Sequence, residues 1–320
     1  MAVYTFLDVA KDTIAESKIP LSETEMWEKA LEMGLDKKLN STGKTPWKTI
    51  SARIYVDIRD NENTEFMKVG KRPTKFYLKE LYAQENPQDI QKKVEAAEKK
   101  ETTEKLKLKE RELPPFLVKY LNEDIHFKAF SKTIYHESSS RRTKGMNKWL
   151  HPDVVSVYFP FQDYEAHTTS LQKALNSSRV KLFSFEIKTY VDFSNLREYY
   201  FQAVSNSSWA HEGYLVCHSI ASDADLLDEL RRLNNSFGIG IIKLDTKEVA
   251  QSEVLLPAKE STELNWDTID RLASENQDFR DFMESIKEDI QLGKVKNKED
   301  YDKILDDENL QKVYHLKIGI

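Results

Sequence analysis

Two hydrophobic runs in the middle of the chain carry charged residues at positions where strands would be buried. The runs cover residues 149–159 and 180–191 and have the length and composition of strands. The first contains Asp153, and the second contains Glu186-Ile187-Lys188. Because an unpaired charge inside a protein is costly, such charges usually have a partner or a function. If the two strands are neighbours, their charges meet at one site.

The alternation of side chains along a strand sorts these residues between two faces. Ser184, Glu186 and Lys188 share one face, while Ile187 packs on the other. Asp153 and Glu186 can then share a divalent cation through carboxylate oxygens. Lys188 can orient an attacking water or stabilise charge that develops on a phosphate. The combination is typical of phosphodiester hydrolysis, and the alternative is an edge strand with solvated charges.

The segments around these strands alternate between helical and extended patterns. The predicted order is a helix at 114–121, strands at 126–135, 149–159 and 180–191, a helix from Ser194, a strand at 214–217, a helix at 223–233 and a strand at 238–244. Such an alternation favours an α/β or α+β arrangement, with a mixed sheet flanked by helices.

The first 80 residues predict three helices followed by a hairpin. Ser22 and Glu25 form a capping box at the start of the second helix, and Pro46 occupies the first position of the third. The residues expected to point inward from the third helix are Ile50, Ile54 and Tyr55. Two short strands within residues 66–78 flank a basic turn. This order is typical of a winged helix-turn-helix.

Charge supports a nucleic-acid surface on this N-terminal part, although the chain carries a net charge of -6. Residues 37–56 and 66–79 contain basic residues and no acidic ones. Such segments suit contacts with phosphates and a DNA groove. The candidate DNA-binding residues are Lys44, Trp47, Lys48, Arg53, Lys68, Lys71, Arg72 and Lys75. The alternative is a solubilising surface on a winged helix that binds protein.

A second basic segment joins two predicted strands of the C-terminal part. It covers residues 138–148, and its candidate phosphate-binding residues are Arg141, Arg142 and Lys144. Its position next to the strand that bears Asp153 suits phosphate contacts. A solvated turn explains the same composition equally well.

Composition divides the chain into four parts. Residues 1–82 form the winged helix, 83–112 a charged helical linker, 113–250 the sheet domain and 251–320 an acidic helical extension. Because an acidic segment avoids DNA, the extension is assigned to bracing the core or to dimerisation. The single Cys217 excludes a disulfide framework, and the seven histidines lack zinc-site spacing. The chain has no signal peptide or membrane-spanning run, which predicts a cytoplasmic protein.

Pro152-Asp153 followed by Glu186-Ile187-Lys188 resembles the core motif of the PD-(D/E)xK nuclease superfamily. The resemblance implies a restriction-endonuclease-like sheet, with Asp153, Glu186 and Lys188 as catalytic residues. It also implies Mg²⁺, for which Mn²⁺ can substitute, bound by Asp153, Glu186 and the carbonyl of Ile187. Many members carry an auxiliary acidic residue near the first helix. The candidates for that residue are Glu112, Glu123 and Glu137, and Gln202 on the later helix is a candidate for contacting water or DNA.

The N-terminal stretch resembles the HARE-HTH domain, a winged helix found in chromatin factors and restriction enzymes. The resemblance rests on residues 5–10 (TFLDVA) and 45–55 (TPWKTISARIY). The two halves together resemble bacterial restriction-endonuclease-like proteins of the Helicobacter restriction-associated type. This implies a Mg²⁺-dependent endonuclease that cuts double-stranded DNA, acts as a homodimer and is associated with a methyltransferase or recognises modified bases.

Two alternative functions remain open on the sequence. One is a catalytically inactive DNA-binding or adaptor protein, which the intact set of Asp153, Glu186 and Lys188 argues against. The other is an RNA-directed nuclease of the same fold, and the winged helix favours duplex DNA over RNA only by analogy.

Overall fold

The computed structural model describes residues 4–39, 46–69, 74–84, 90, 92–93, 108–135, 151–174, 180–221 and 223–318. The chain divides into two compact units, residues 1–104 and 105–320. Ile90 belongs to the hydrophobic core of the first unit, and Leu108 belongs to a core of the second. The linker predicted at 83–112 therefore begins and ends inside folded cores, because each end contributes an apolar side chain.

The first unit has three helices, a hairpin and a short fourth helix. They are α1 (Phe6–Ser17), α2 (Glu23–Glu32), α3 (Pro46–Asp60), β1 (Phe66–Val69), β2 (Lys75–Leu78) and α4 (Lys79–Gln84), with β1 and β2 antiparallel. Ser22 and Glu25 form the predicted capping box, in which the Ser22 N–H donates to Glu25 Oε2 at 2.5 Å. A second box, of Thr5 and Asp8, starts α1.

The core of this unit lies where the three helices meet the hairpin. Ile50 and Ile54 are fully buried, as the spacing on α3 predicts, and Phe76 and Tyr77 complete the core from β2. Tyr55 differs from the prediction, because 39% of it is exposed. Its ring meets the edge of Phe76 with 5.2 Å between centroids, so one side packs and the other faces solvent.

The second unit is built on a six-stranded mixed sheet. Its strands are β3 (Phe130–Thr133), β4 (Val154–Tyr158), β5 (Lys181–Val191), β6 (Glu212–Ile220), β7 (Gly240–Lys243) and β8 (Glu253–Leu256), in spatial order β3-β4-β5-β6-β7-β8. Strands β5, β6 and β7 are parallel, and the other neighbours are antiparallel. The helices are α5 (Pro114–Glu123), α6 (Ala166–Ala174), α7 (Leu196–Ser207), α8 (Ala224–Phe237), α9 (Trp266–Glu275), α10 (Gln277–Leu292) and α11 (Asp307–Ile318).

Helices cover both faces of this sheet. On one face, Phe183, Phe185 and Ile187 of β5 pack with residues of α5 and α11. The opposite face carries Glu186 and Lys188, and there Leu215 and Cys217 pack under α7 and α8 while Val155 and Val157 pack under α9 and α10. Cys217 is a buried free thiol. The predicted order of strands and helices is present, as a three-layer arrangement.

The acidic segment 251–320 is part of this unit and not a separate extension. Strand β8 closes one edge of the sheet beside β7. At the other edge, Asp302 Oδ2 accepts hydrogen bonds from the backbone N–H and the hydroxyl of Thr133 at 2.7 and 2.6 Å. Phe279 and Phe282 of α10 are fully buried. The segment braces the core, because its aromatic residues fill one face and its backbone covers the exposed edge of β3.

None of the helices within the described ranges has the length and apolar character required to cross a membrane.

Candidate active site

Strand β5 places Glu186 and Lys188 side by side on one face of the sheet. Their spacing of two residues puts both side chains on the same face, as predicted. Both lie inside the protein, with Glu186 1% and Lys188 5% exposed. Lys188 Nζ donates to Glu186 Oε1 at 2.7 Å. The two charges therefore compensate one another in a place where a single charge would be costly.

Asp153 lies immediately before β4 and flanks Glu186 on the neighbouring strand. Its backbone N–H donates to the carbonyl of Phe185 at 3.0 Å. Its Oδ2 accepts from the N–H of Ile187 at 2.7 Å. Asp153 thus contacts the residues on both sides of Glu186, and this brings the two carboxylates to one site. The predicted proximity of the two strands is observed, since β4 and β5 are hydrogen-bonded neighbours.

The backbone of Ile187 faces the same site, although its side chain is fully buried on the other face of the sheet. In a strand the N–H and the carbonyl of one residue point to the same side. Because the N–H of Ile187 reaches Asp153, its carbonyl also lies on the side of Asp153. Ile187 is therefore positioned as the carbonyl ligand that the sequence resemblance implies.

The charges at the site shift one another's pKa values. Burial, reinforced by the charge of Asp153, raises the pKa of Glu186 to about 8, although Lys188 and Asn206 oppose the shift. Burial acts to lower the pKa of Lys188, but the charges of Glu186 and Asp153 outweigh it and the pKa of Lys188 rises. The ammonium of Lys188 is consequently protonated at neutral pH.

Helix α7 presents one face to this pair of charges. Asn206 Nδ2 donates to Glu186 Oε2 at 2.5 Å, and the ring centroid of Tyr199 lies 5.1 Å from Lys188 Nζ. Gln202 lies between Tyr199 and Asn206 on the same helical face and is half-buried. The structure therefore places the predicted candidate Gln202 near the site and adds Tyr199 and Asn206. Their seven-residue spacing is the sequence pattern that places both on one helix face.

The acidic residue that reaches Lys188 from the first helix is Glu110. Its Oε2 lies 3.5 Å from Lys188 Nζ, and it belongs to a short 3-10 turn just before α5. Of the predicted auxiliary acids, Glu112 accepts a hydrogen bond from the backbone N–H of Lys109 at 3.0 Å, and Glu123 lies 3.4 Å from Lys119. Glu110 was missed because its contact with Lys188 spans 78 residues.

Glu137, the third auxiliary candidate, lies outside the described residues. Lys44, Lys71, Arg72, Arg141, Arg142 and Lys144 lie outside them as well.

The chemistry of the donor set fits a divalent cation. Two carboxylates, from Asp153 and Glu186, and the carbonyl of Ile187 are hard oxygen ligands of the kind that Mg²⁺ prefers. Within the described ranges, no group of three His, Cys, Asp or Glu side chains is arranged to hold a metal. Mg²⁺ does not need three, because it commonly binds through one or two carboxylates and keeps several waters. A cation would also compensate the repulsion that raises the pKa of Glu186.

The described basic residues of the first unit differ in their access to solvent. Lys48 and Arg53 are exposed on α3, and Lys68 is exposed on β1. Lys68 Nζ lies 4.2 Å from the ring centroid of Tyr55. These three cations keep their predicted availability for phosphate contacts.

Trp47 and Lys75 do not share that access. Trp47 is 5% exposed, so its ring lies in the interior and not on the DNA-facing surface where it was expected. Lys75 is 6% exposed, and its Nζ donates to Glu25 Oε1 at 2.8 Å, which joins β2 to α2. Both corrections have one physical reason. Neither side chain can reach a phosphate or a base without leaving the packed interior.

Three helices followed by an antiparallel hairpin make the first unit a winged helix-turn-helix. Residues 4–81 match the HARE-HTH family, which is described as a helix-turn-helix domain of ASXL and restriction endonuclease proteins. The resemblance predicted for the N-terminal part is thereby confirmed, and the match ends before the second unit. A comparison with curated proteins gave no significant match. A comparison with solved structures gave none either.

Proposed function

We propose that this protein is a metal-dependent DNA endonuclease whose N-terminal winged helix binds duplex DNA. The observation that carries the proposal is the convergence of Asp153, Glu186 and Lys188 on adjacent strands, with Asp153 hydrogen-bonded to the backbone between the other two. The match of residues 4–81 to HARE-HTH supports DNA binding by the first unit. The exposed cations Lys48 and Arg53 of α3 suit contacts with the DNA backbone.

The proposed reaction is hydrolysis of a phosphodiester by in-line attack of water. Asp153 and Glu186 would hold Mg²⁺ together with the carbonyl of Ile187, and Mn²⁺ has similar requirements. When bound, the cation supplies a Lewis acid that stabilises charge on the phosphate and promotes deprotonation of water. Lys188 is protonated, so it donates hydrogen bonds to the water or to the phosphate oxygens and does not act as a base. Glu110 helps to orient the ammonium of Lys188.

One observation favours a second candidate, a protein that binds DNA and does not cut it. Glu186 Oε1 accepts from Lys188, and Oε2 accepts from Asn206. A buried, neutralised pair of this kind also occurs as a purely structural element. Each carboxylate oxygen has two lone-pair sites, however, so these contacts leave capacity for a cation.

The decisive test is Mg²⁺-dependent cleavage of plasmid DNA that is unmethylated, methylated or hydroxymethylated. The proteins compared are the wild type, Asp153→Ala, Lys188→Ala and the control Lys181→Ala, which changes a lysine on the same strand but outside the site. Cleavage by wild type and control that both site variants abolish supports the nuclease. DNA that is bound and uncut supports the binding protein, and cleavage of folded RNA in preference to duplex DNA supports an RNA nuclease.

Two further parts of the proposal concern partners. Cutting both strands of a duplex requires two sites, which a homodimer would supply. Light scattering on the DNA-bound protein measures whether two copies are present. Cleavage of unmethylated DNA alone would favour a partner methyltransferase that protects the host, whereas cleavage of modified DNA alone would favour recognition of the modified base.

A further inference from the structure

Asn206 is an unusual residue to find in the last turn of α7, because its amide is almost completely enclosed. It is 1% exposed, and polar side chains are rarely buried to that extent without partners. Its backbone carbonyl accepts from Ser184 Oγ at 3.0 Å and from Trp209 Nε1 at 2.8 Å. These two hydrogen bonds fix the main chain of Asn206 against β5, so its side chain starts from a rigid position.

From that position the amide holds one oxygen of Glu186. Asn206 Nδ2 donates to Oε2 at 2.5 Å, while Lys188 Nζ donates to Oε1 at 2.7 Å. With a donor on each oxygen, the carboxylate of Glu186 cannot rotate without breaking a contact. The two donors come from different elements, since Lys188 lies on β5 and Asn206 lies on α7. Asn206 is therefore a hold on Glu186 that does not depend on the ion pair.

The second atom of the amide adds an independent observation. Asn206 Oδ1 is buried, and no described residue donates to it. A buried acceptor without a donor is rare in proteins. Because Oδ1 and Nδ2 belong to the same amide, Oδ1 also lies beside Glu186. An acceptor there suits a water molecule carried by a hydrated cation.

We propose that Asn206 is a positioning residue that orients Glu186 for binding a divalent cation. The inference rests on the proposed metal site and names a further residue that it requires. Asn206 contacts a ligand of the cation and not the DNA. Partners that orient metal ligands typically contribute about 10- to 100-fold to metal affinity or activity. Loss of the amide should therefore weaken cation binding by about that factor.

The test measures Mn²⁺ binding to the full-length protein by electron paramagnetic resonance. Two variants remove the amide in different ways, because Asn206→Leu preserves most of the volume and Asn206→Ser reduces it. Ser207→Ala is the matched control, since Ser207 is a buried neighbour on α7 whose hydroxyl donates to the carbonyl of Val204 at 3.4 Å. Thermal melting of each protein without metal verifies that the variants fold.

The expected result is a dissociation constant for Mn²⁺ that rises about 10- to 100-fold in both Asn206 variants and stays at the wild-type value in Ser207→Ala. A wild-type dissociation constant in either folded Asn206 variant overturns the positioning role. Absence of Mn²⁺ binding by the wild type overturns the positioning role together with the metal site. Normal Mn²⁺ binding without any DNA cleavage overturns the nuclease alone and leaves the role of Asn206 to be decided by the variants.

Cleavage kinetics distinguish positioning from direct contact with DNA. A positioning role predicts that Asn206→Leu raises the Mg²⁺ concentration needed for half-maximal cleavage and leaves the rate at saturating Mg²⁺ close to wild type. A rate that stays reduced at saturating Mg²⁺, with normal half-saturation, would assign Asn206 to the substrate and overturn the inference.

Discussion

The backbone N–H of Ile187 donates a 2.7 Å hydrogen bond to Oδ2 of Asp153. This bond joins the start of β4 to the residue that lies between Glu186 and Lys188 in β5. The position of Asp153 is therefore set by the backbone of the strand that carries the other two charges. A substitution that shifts β5 would displace all three charged groups of the site together.

Glu110 and Glu112 offer a matched pair of acidic residues within one turn. Glu110→Gln should reduce Mg²⁺-dependent cleavage by roughly tenfold, because the carboxylate 3.5 Å from Lys188 Nζ supports the orientation of the ammonium. Glu112→Gln should leave cleavage near the wild-type rate, since its carboxylate accepts from the backbone N–H of Lys109. Initial rates on plasmid DNA measure both. Equal rates for the two variants would remove Glu110 from the site.

Arg53 and Lys75 should separate DNA binding from stability. Arg53 is exposed on α3, so Arg53→Ala should weaken binding to duplex DNA and lower the salt dependence by about one phosphate contact, with unchanged melting. Lys75 is buried against Glu25 at 2.8 Å. Lys75→Met should therefore destabilise the first unit by on the order of 1–3 kcal/mol, because Glu25 loses its partner.

Fluorescence anisotropy at several salt concentrations, together with thermal melting, measures both effects of these variants. A loss of DNA affinity in folded Lys75→Met equal to that in Arg53→Ala would contradict the assignment of Lys75 to the interior.

Asp302 should prove important for the stability of the second unit. Asp302→Ala removes the acceptor for the N–H and the hydroxyl of Thr133 and should cost about 1–3 kcal/mol of unfolding free energy. Asp302→Asn retains an acceptor oxygen and should cost less. Asp300→Ala is the control, because Asp300 contacts Lys132 through its backbone carbonyl. Urea unfolding gives the three values, and an unchanged midpoint for Asp302→Ala would argue against the bracing role of segment 251–320.

The pair of His126 and Glu212 predicts a pH dependence of stability. The hydrogen bond with Glu212 at 2.8 Å raises the pKa of His126 above its ordinary value of 6.5. Burial acts to raise the pKa of Glu212, but hydrogen bonds from His126 and Tyr214 outweigh it and the pKa falls below 4.5. The His126 contribution is complete below pH 6.5 and is lost as pH rises through the raised pKa. The Glu212 contribution is complete above pH 4.5 and is lost as pH falls through the lowered pKa.

The pair therefore stabilises the second unit most between pH 4.5 and 6.5. His126→Ala should lower the melting temperature more at pH 5.5 than at pH 9. Because His126 is almost half exposed, solvent screening limits the effect to about 1 kcal/mol or less. Lys128→Ala in the same loop is the control, since its charge does not change between these pH values. An equal loss at both pH values for His126→Ala would show that packing, and not charge, accounts for its contribution.

Local sequence patterns determined the elements of both units. The capping box of Ser22 and Glu25, the Pro46 start of α3 and the alternation around Glu186 depend on neighbouring residues, so they can be read from the chain. The shared face of Glu186 and Lys188 also follows from the two-residue period of a strand. The match of residues 4–81 to HARE-HTH agrees with those local patterns.

Only the tertiary structure decided which side chains surround the charges. Glu110 reaches Lys188 across 78 residues, and Lys75 meets Glu25 across 50. Asn206 reaches Glu186 because α7 packs back against β5. Composition indicated an acidic extension at 251–320, yet packing makes it part of the sheet unit. Sequence periodicity assigns a side chain to a face, whereas burial and partners depend on how separate elements meet, and that is set by packing.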